Sequence, residues 1–471
     1  MAIDFENAIA WKKAAGAERV MLDNLQPNIL KGHVREFLTV LFLSFDDPAG
    51  GRAFLRTVAG GMKSAWRHFK EIDTFKKTMV PGTSYIGVGL SRAGYIALDL
   101  PIVPSDPAFV QGMQANPKLN DPNPQEWEEH FRKPSKIHAV ILVGDMLSGT
   151  RDAALAQVVA WVNAGEGVSV LARQDGLGQH NDNAEGIEHF GYVDGRSQPL
   201  FLEEDVSAEE QDTDGITDWN PSCPLKQVIV PDPGAPDPDV HCGSYFIFRK
   251  LEQNVRLFKE SERDFANSLG IPGDERAGAM LVGRFEDGTP VTMQFEDGVE
   301  SPVPNNFNYA SDTKGAKCPF AGHIRKTNPR GSGGFGQPEK QERTHIMARR
   351  GQTYGIRTDD LNDGRIDNKP EKDVGLLFMA FNSDIGQQFE FTQVAWANGI
   401  GFPEVPDGSP APGVDPIIGQ TPNDAQRPAI SCPVKWGDAK SIKTVAAPPR
   451  TVTMKGGEYF FMPSLAFLKN I

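Results

Sequence analysis

The sequence predicts an α+β protein made of two ferredoxin-like units with antiparallel sheets. Three observations lead there: each half runs strand–helix and later strand–helix again, β-rich material lies between the pairs, and a proline-rich break falls near the middle. At 471 residues the chain is long enough for more than one domain with ample core. Hydrophobic residues make up 39% and charged residues 23%, ordinary proportions for a water-exposed globular chain.

In the first half, EFLTVLFLSF (36–45) has the apolar, β-branched character of a strand, and a helical stretch follows over 51–66. KIHAVILVGD (136–145) reads as a second strand. The helix expected over 150–164 sets Leu155, Val158, Val159 and Val162 on one face. The second half repeats this plan. GSYFIFR (243–249) is a strand, and the helix over 252–269 carries Val255, Phe258, Phe265 and Leu269 at helical spacing. A strand over 375–382 and a helix over 384–398 complete it. Between the halves, VPDPGAPDPDV (230–240) is excluded from helix and central strand by its four prolines. The domains expected are therefore 1–230 and 231–471, with a second proline-rich loop over 403–413.

The net charge is −14 and the pI near 5.2, which argues against nucleic-acid binding through phosphate neutralisation. No apolar run approaches a membrane span. Asp4 and Glu6 stand where a secretory leader would be basic, so the expectation is a cytoplasmic protein. Four cysteines with no C-x-x-C pair make no disulfide framework. Three of them, Cys223, Cys318 and Cys432, precede proline.

Against this acidic background the stretch 317–355 is exceptional. KCPFAGHIRKTNPRGSGGFGQPEKQERTHIMARRGQTYG holds His323, His345 and eight lysines and arginines. Basic groups gathered beside a histidine suit an anionic ligand that carries a metal. Far upstream, GYVDGRSQP (191–199) places Asp194 between two glycines, where the backbone can adopt positive φ or approach a flat ligand.

Taken together, GYVDGRSQP, CPFAGHIRKTNPR and RRGQTYG closely resemble the dye-decolorizing (DyP-type) haem peroxidases. LDNLQPNILKGH (22–33), DVGLLFMAFNSDI (373–385) and GGEYFFMPSL (456–465) resemble that family's N-terminal arm, distal-pocket strand and C-terminal strand, in the same order. The resemblance implies haem b as cofactor, held mainly by the second unit, and hydrogen peroxide and bulky aromatic donors such as dyes and phenols as substrates. It implies no nucleic acid and no membrane, and leaves a homo-oligomer open.

The resemblance also assigns roles. His323 becomes the iron ligand, with His345 its nearest competitor and a Cys-Pro thiolate a third reading. A carboxylate behind the ligand histidine would raise its basicity, and Glu390 is the candidate by position. Asp194 becomes the acid–base group that moves the peroxide proton. An ordinary aspartate is ionised from about pH 4 upward, so dye oxidation is expected to be fastest at about pH 3–5. Arg349 becomes the fixed charge beside the departing oxygen, with Arg350 the alternative. Arg330 is the first candidate to meet a haem propionate and Arg325 the second. Strand alternation puts Leu376 and Phe378 on one face, which the resemblance turns toward haem, and Leu377 and Met379 on the other. The rival function is a haem carrier or sensor without turnover, which would need neither Asp194 nor Arg349.

Overall fold

The computed structural model describes residues 2–212, 214–299, 302–360, 363–423 and 427–471. Four strands of the first half, β1 (Phe37–Phe45), β2 (Tyr85–Leu90), β3 (Ala139–Asp145) and β4 (Val168–Leu177), pair in the order β4-β1-β3-β2. The second half begins with the two-residue β5 (Val230–Pro231) and the long β6 (Cys242–Gln253). It continues with β7 (Ala348–Arg349), β8 (Gln352–Tyr354) and β9 (Gly375–Asn382). A small separate ribbon, β10 (Ile430–Pro433) with β11 (Ile442–Val445), precedes β12 (Val452–Met462). Here the order is β12-β6-β9-β7, the same 4-1-3-2 arrangement, and the pairings between these strands are antiparallel in both halves. One register contact, Phe461 opposite Leu90, joins the halves into a continuous sheet.

Most expected elements are present, and the differences have local causes. The helix expected over 51–66 is two helices, Pro48–Gly61 and Ala65–Thr78. Met62 is extended, and Ser64 accepts from Arg67 N to cap a new start. The helix Val255–Leu269 begins where Asn254 accepts from Leu257 N and ends at Gly270, whose φ of 77° suits a left-handed cap. It buries the four residues its spacing singled out. The helix expected over 384–398 is wound more widely: Glu390 N donates to Ile385 O and Asn398 N to Gln393 O, five residues back. Such wide turns concentrate at functional sites, and here they push Phe389, Thr392 and Gln393 toward the cavity described below.

Aromatic packing joins the halves face to face. Phe42 of β1 meets Phe248 of β6 edge-on at 5.0 Å and Phe131 at 5.1 Å. Gly456 is fixed by this contact, since a Cβ there would lie 2.1 Å from the Phe131 ring at a φ of 143°. The buried face of the second sheet, with Leu377 and Met379, thus looks into the shared core. Its other face is left to line a cavity. Among the described residues no helix is long and apolar enough to cross a membrane.

Candidate active site

Register explains why distant residues meet. In an antiparallel pair, opposed residues share a face. Leu251 opposes both Leu376 and Met454, Arg249 opposes Phe378, and Arg349 opposes Ala380. All of these except Ala380 line one cavity of about 320 Å3, roofed by Asp194 and its neighbours and by the helix His323–Thr327. Four expected site residues on different segments (Asp194, His323, Arg330, Arg349) and the expected wall, Leu376 and Phe378, therefore border the same space.

Asp194 sits in a turn whose glycines do what the sequence suggested, with φ of 107° at Gly191 and 80° at Gly195. Its backbone N–H donates to Gly186 O at 2.9 Å. The carboxylate itself has no hydrogen-bond partner among the described residues, so it does not cap the turn. Arg349 is anchored by its backbone, which donates to Gln198 Oε1 at 3.1 Å, and by Nη2 donating to Arg196 O at 3.0 Å. The next residue, Arg350, also borders the cavity, but its guanidinium is turned toward the N-terminal arm. Its guanidinium donates to Asn28 O and Ile29 O of the N-terminal arm and is 9% exposed.

His323 Nδ1 donates to Asp415 Oδ2 at 2.8 Å. Burial opposes the imidazolium, but the charge and hydrogen bond of Asp415 outweigh it and raise the pKa above the usual histidine value. Burial likewise works against the Asp415 carboxylate. His323 and the amides of Ile417 and Ile418 overcome it and lower its pKa. With Nδ1 committed, Nε2 is the atom left for a ligand. Glu390, the carboxylate expected behind His323, instead accepts from Tyr459 Oη at 2.9 Å. The partner is Asp415, 92 residues from His323, in a proline-rich loop with no periodic pattern to mark it.

Arg325 is a second correction. It is 1% exposed, does not line the cavity, and is bound to Asp312 Oδ2 at 3.0 Å and to the carbonyls of Asp312 and Cys318. Its role is to hold the loop before His323. Arg325→Leu is expected to destabilise the fold by about 3–5 kcal/mol, because the buried Asp312 would lose its counter-charge and keep only the amides of Ala316, Lys317 and Cys318; a denaturant titration of the variant checks this.

Arg330 does border the cavity, yet four of its hydrogen bonds go to protein oxygens of Asn305, Phe307 and Ser197. Burial lowers its pKa to about 9. Arg284, missed in the sequence because it stands alone between apolar residues, lies beside it and donates to Gly288 O and Pro304 O. Arg284, Arg330 and Arg349 have no carboxylate partner among the described residues. Three uncompensated guanidinium groups around a part-apolar cavity fit a flat ligand bearing two carboxylates, and His323 Nε2 fits a metal at its centre. The donor set thus suits haem. His345, the rival ligand, also borders the cavity but leans on Phe391 at 3.7 Å with Nδ1 facing Gln387 O, a neutral partner. The four thiols are all buried, and none lines the cavity. Burial pushes Cys318 up to about 12 and Cys223 up to about 11, which disfavours thiolate ligation.

A duplicated α+β fold with such a cavity defines a protein built to hold a flat, metal-carrying ligand with two carboxylates. Comparison with known proteins narrows this. Residues 24–176 match the family model described as the DyP dimeric alpha+beta barrel domain. The multifunctional dye peroxidase DyP2 of Amycolatopsis sp. is 57% identical, with all of both chains covered. Its solved structure matches with a TM-score of 0.96 at 56% identity. A DyP-type peroxidase structure from Anabaena sp. matches at 35% identity over 99% of this chain and 98% of that one, with a TM-score of 0.89. The chain belongs to the dye-decolorizing, DyP-type haem peroxidase family. It is a haem peroxidase, which sets aside the reading as a carrier or sensor without turnover.

Proposed function

We propose that this protein reduces hydrogen peroxide with haem b bound through His323, and oxidises dyes, phenols and other bulky aromatic donors. The observation that carries the reading is that His323, backed by Asp415, borders the same cavity as Asp194 and Arg349. When bound, haem supplies the redox-active iron at which peroxide is reduced. The chain supplies the rest. Asp194, with its carboxylate unengaged, takes the proton from one peroxide oxygen and returns it to the other, so that water leaves. Arg349 holds a permanent positive charge, already oriented by Arg196 O, toward the oxygen on which negative charge grows. Asp415 keeps His323 oriented and electron-rich. Leu376 and Phe378 keep that side of the cavity apolar. Arg330 and Arg284 attract the haem carboxylates through charge, since their donor groups are largely occupied. In this reading residues 1–230 contribute Asp194, and residues 231–471 contribute the haem-binding remainder.

His323→Ala tests the assignment. The variant should remain folded and bind added haemin far more weakly than the parent, as followed by its visible absorption. Full occupancy with the parent spectrum would transfer the ligand role to His345.

A further inference from the structure

Lys326 sits one turn after His323, yet nothing in the peroxide chemistry uses it. It is fully buried and has no carboxylate partner among the described residues. Its ammonium donates instead to three backbone carbonyls: Gly399 O at 2.7 Å, Phe402 O at 2.5 Å and Gly413 O at 2.7 Å. A buried cation satisfied only by neutral oxygens is expensive to keep. Three acceptors also match the three N–H bonds of the ammonium, one more than a neutral amine could offer. Burial brings its pKa down to about 7, with Asp415 opposing the fall, so the ammonium is intact in acid.

The three carbonyls belong to both ends of one loop. Gly399 and Phe402 open it, and Gly413 closes it two residues before Asp415. The same ends are stitched by Gly413 N donating to Ile400 O at 3.0 Å and Asp415 N to Ala397 O at 2.8 Å. We propose that Lys326 is a positioning residue: its ammonium clamps the two ends of the 399–413 loop and thereby sets Asp415 against His323. His323 and Lys326 share the helix His323–Thr327, so a single short helix carries both the ring and the clamp that fixes its carboxylate. The proposal rests on His323 being the iron ligand.

The experiment uses the haem-loaded, reduced protein and reads the iron–histidine stretching frequency by resonance Raman, which falls when the hydrogen bond behind the histidine weakens. Asp415→Asn is the reference for that weakening. Lys326→Met, or the milder Lys326→Gln, is expected to lower the frequency in the same direction. In the haem-free chain, the Asp415 amide should exchange its hydrogen at least about tenfold faster. Two glycines inserted after Gly408, at the exposed loop tip, should leave the frequency at its parent value, because the clamp rather than the loop's length places Asp415. A Lys326 variant with the parent frequency, beside a lowered one in Asp415→Asn, overturns the role of Lys326 and leaves the ligand assignment standing. So does a glycine insertion that shifts the frequency. An iron–histidine band that survives His323→Ala removes the ligand assignment, and the proposal with it.

Discussion

Asp194→Asn is expected to slow the reaction with hydrogen peroxide by about 10²–10⁴ while haem stays bound, the range typical of a positioned acid–base group. The amide is the same shape as the carboxylate and cannot accept the peroxide proton. Structure gives little reason for collateral damage. The side chain is exposed to the cavity, has no hydrogen-bond partner among the described residues, and its turn is fixed by Gly191, Gly195 and backbone bonds. Substitutions free of such ties usually change stability by less than about 0.5 kcal/mol. The measurement is the second-order rate of the absorbance change on mixing the haem-loaded protein with peroxide by stopped flow. A variant within threefold of the parent would mean that the proton moves through another group. The amide of Gln198 could not serve, and among the described residues no other unengaged carboxylate borders the cavity, since Glu188 accepts from Phe190 N, Tyr192 N and Gln253 Nε2.

What the sequence made legible follows from which signals are local. The helix Val255–Leu269 announced its buried face by spacing, and β9 announced itself by the unbroken apolar run from Leu376 to Phe381. β2 and β4 lacked such marks. YIGVGL is short and contains two glycines, and β4 is a partly exposed edge strand, VSVLARQDGL, without apolar alternation. The site divides the same way. Asp194, His323, Arg349, Leu376 and Phe378 were named from motifs, and the fold brings them to the border of one cavity. Sequence neighbourhood was a poor guide to partners. Arg325 stands two residues from His323 and faces Asp312, whereas Asp415 stands in another segment and touches the ring. Glu390 was chosen for its place after a strand, and the wide helical turns there carry it to Tyr459. Tertiary closure decides such pairings, and no periodicity encodes it.

Arg349→Leu should slow the reaction with peroxide by about 10²–10³, equivalent to roughly 3–4 kcal/mol of transition-state stabilisation, with haem binding nearly intact. Its neighbour provides the control. On sequence grounds Arg350→Leu is the milder change, because adjacent strand residues face opposite ways. The structure alters that expectation in kind: Arg350 lies against the N-terminal arm, where Asn28 O, Ile29 O and Arg349 O accept its three donor nitrogens, and Arg35 Nη2 grips its own carbonyl at 2.6 Å. Leucine would strand those buried carbonyls at about 1–3 kcal/mol each where water cannot reach them. Arg350→Leu should therefore lower the melting temperature more than Arg349→Leu does, yet react with peroxide at close to the parental rate in whatever fraction is folded. Stopped flow and thermal melting of both variants separate the two effects. A slow Arg350→Leu beside a near-parental Arg349→Leu would contradict the register in which Arg349 opposes Ala380. If both react at the parental rate, the charge on the departing oxygen is met by another group, and Arg284, a cavity guanidinium beside Ser197 with no carboxylate partner among the described residues, is the one to remove next.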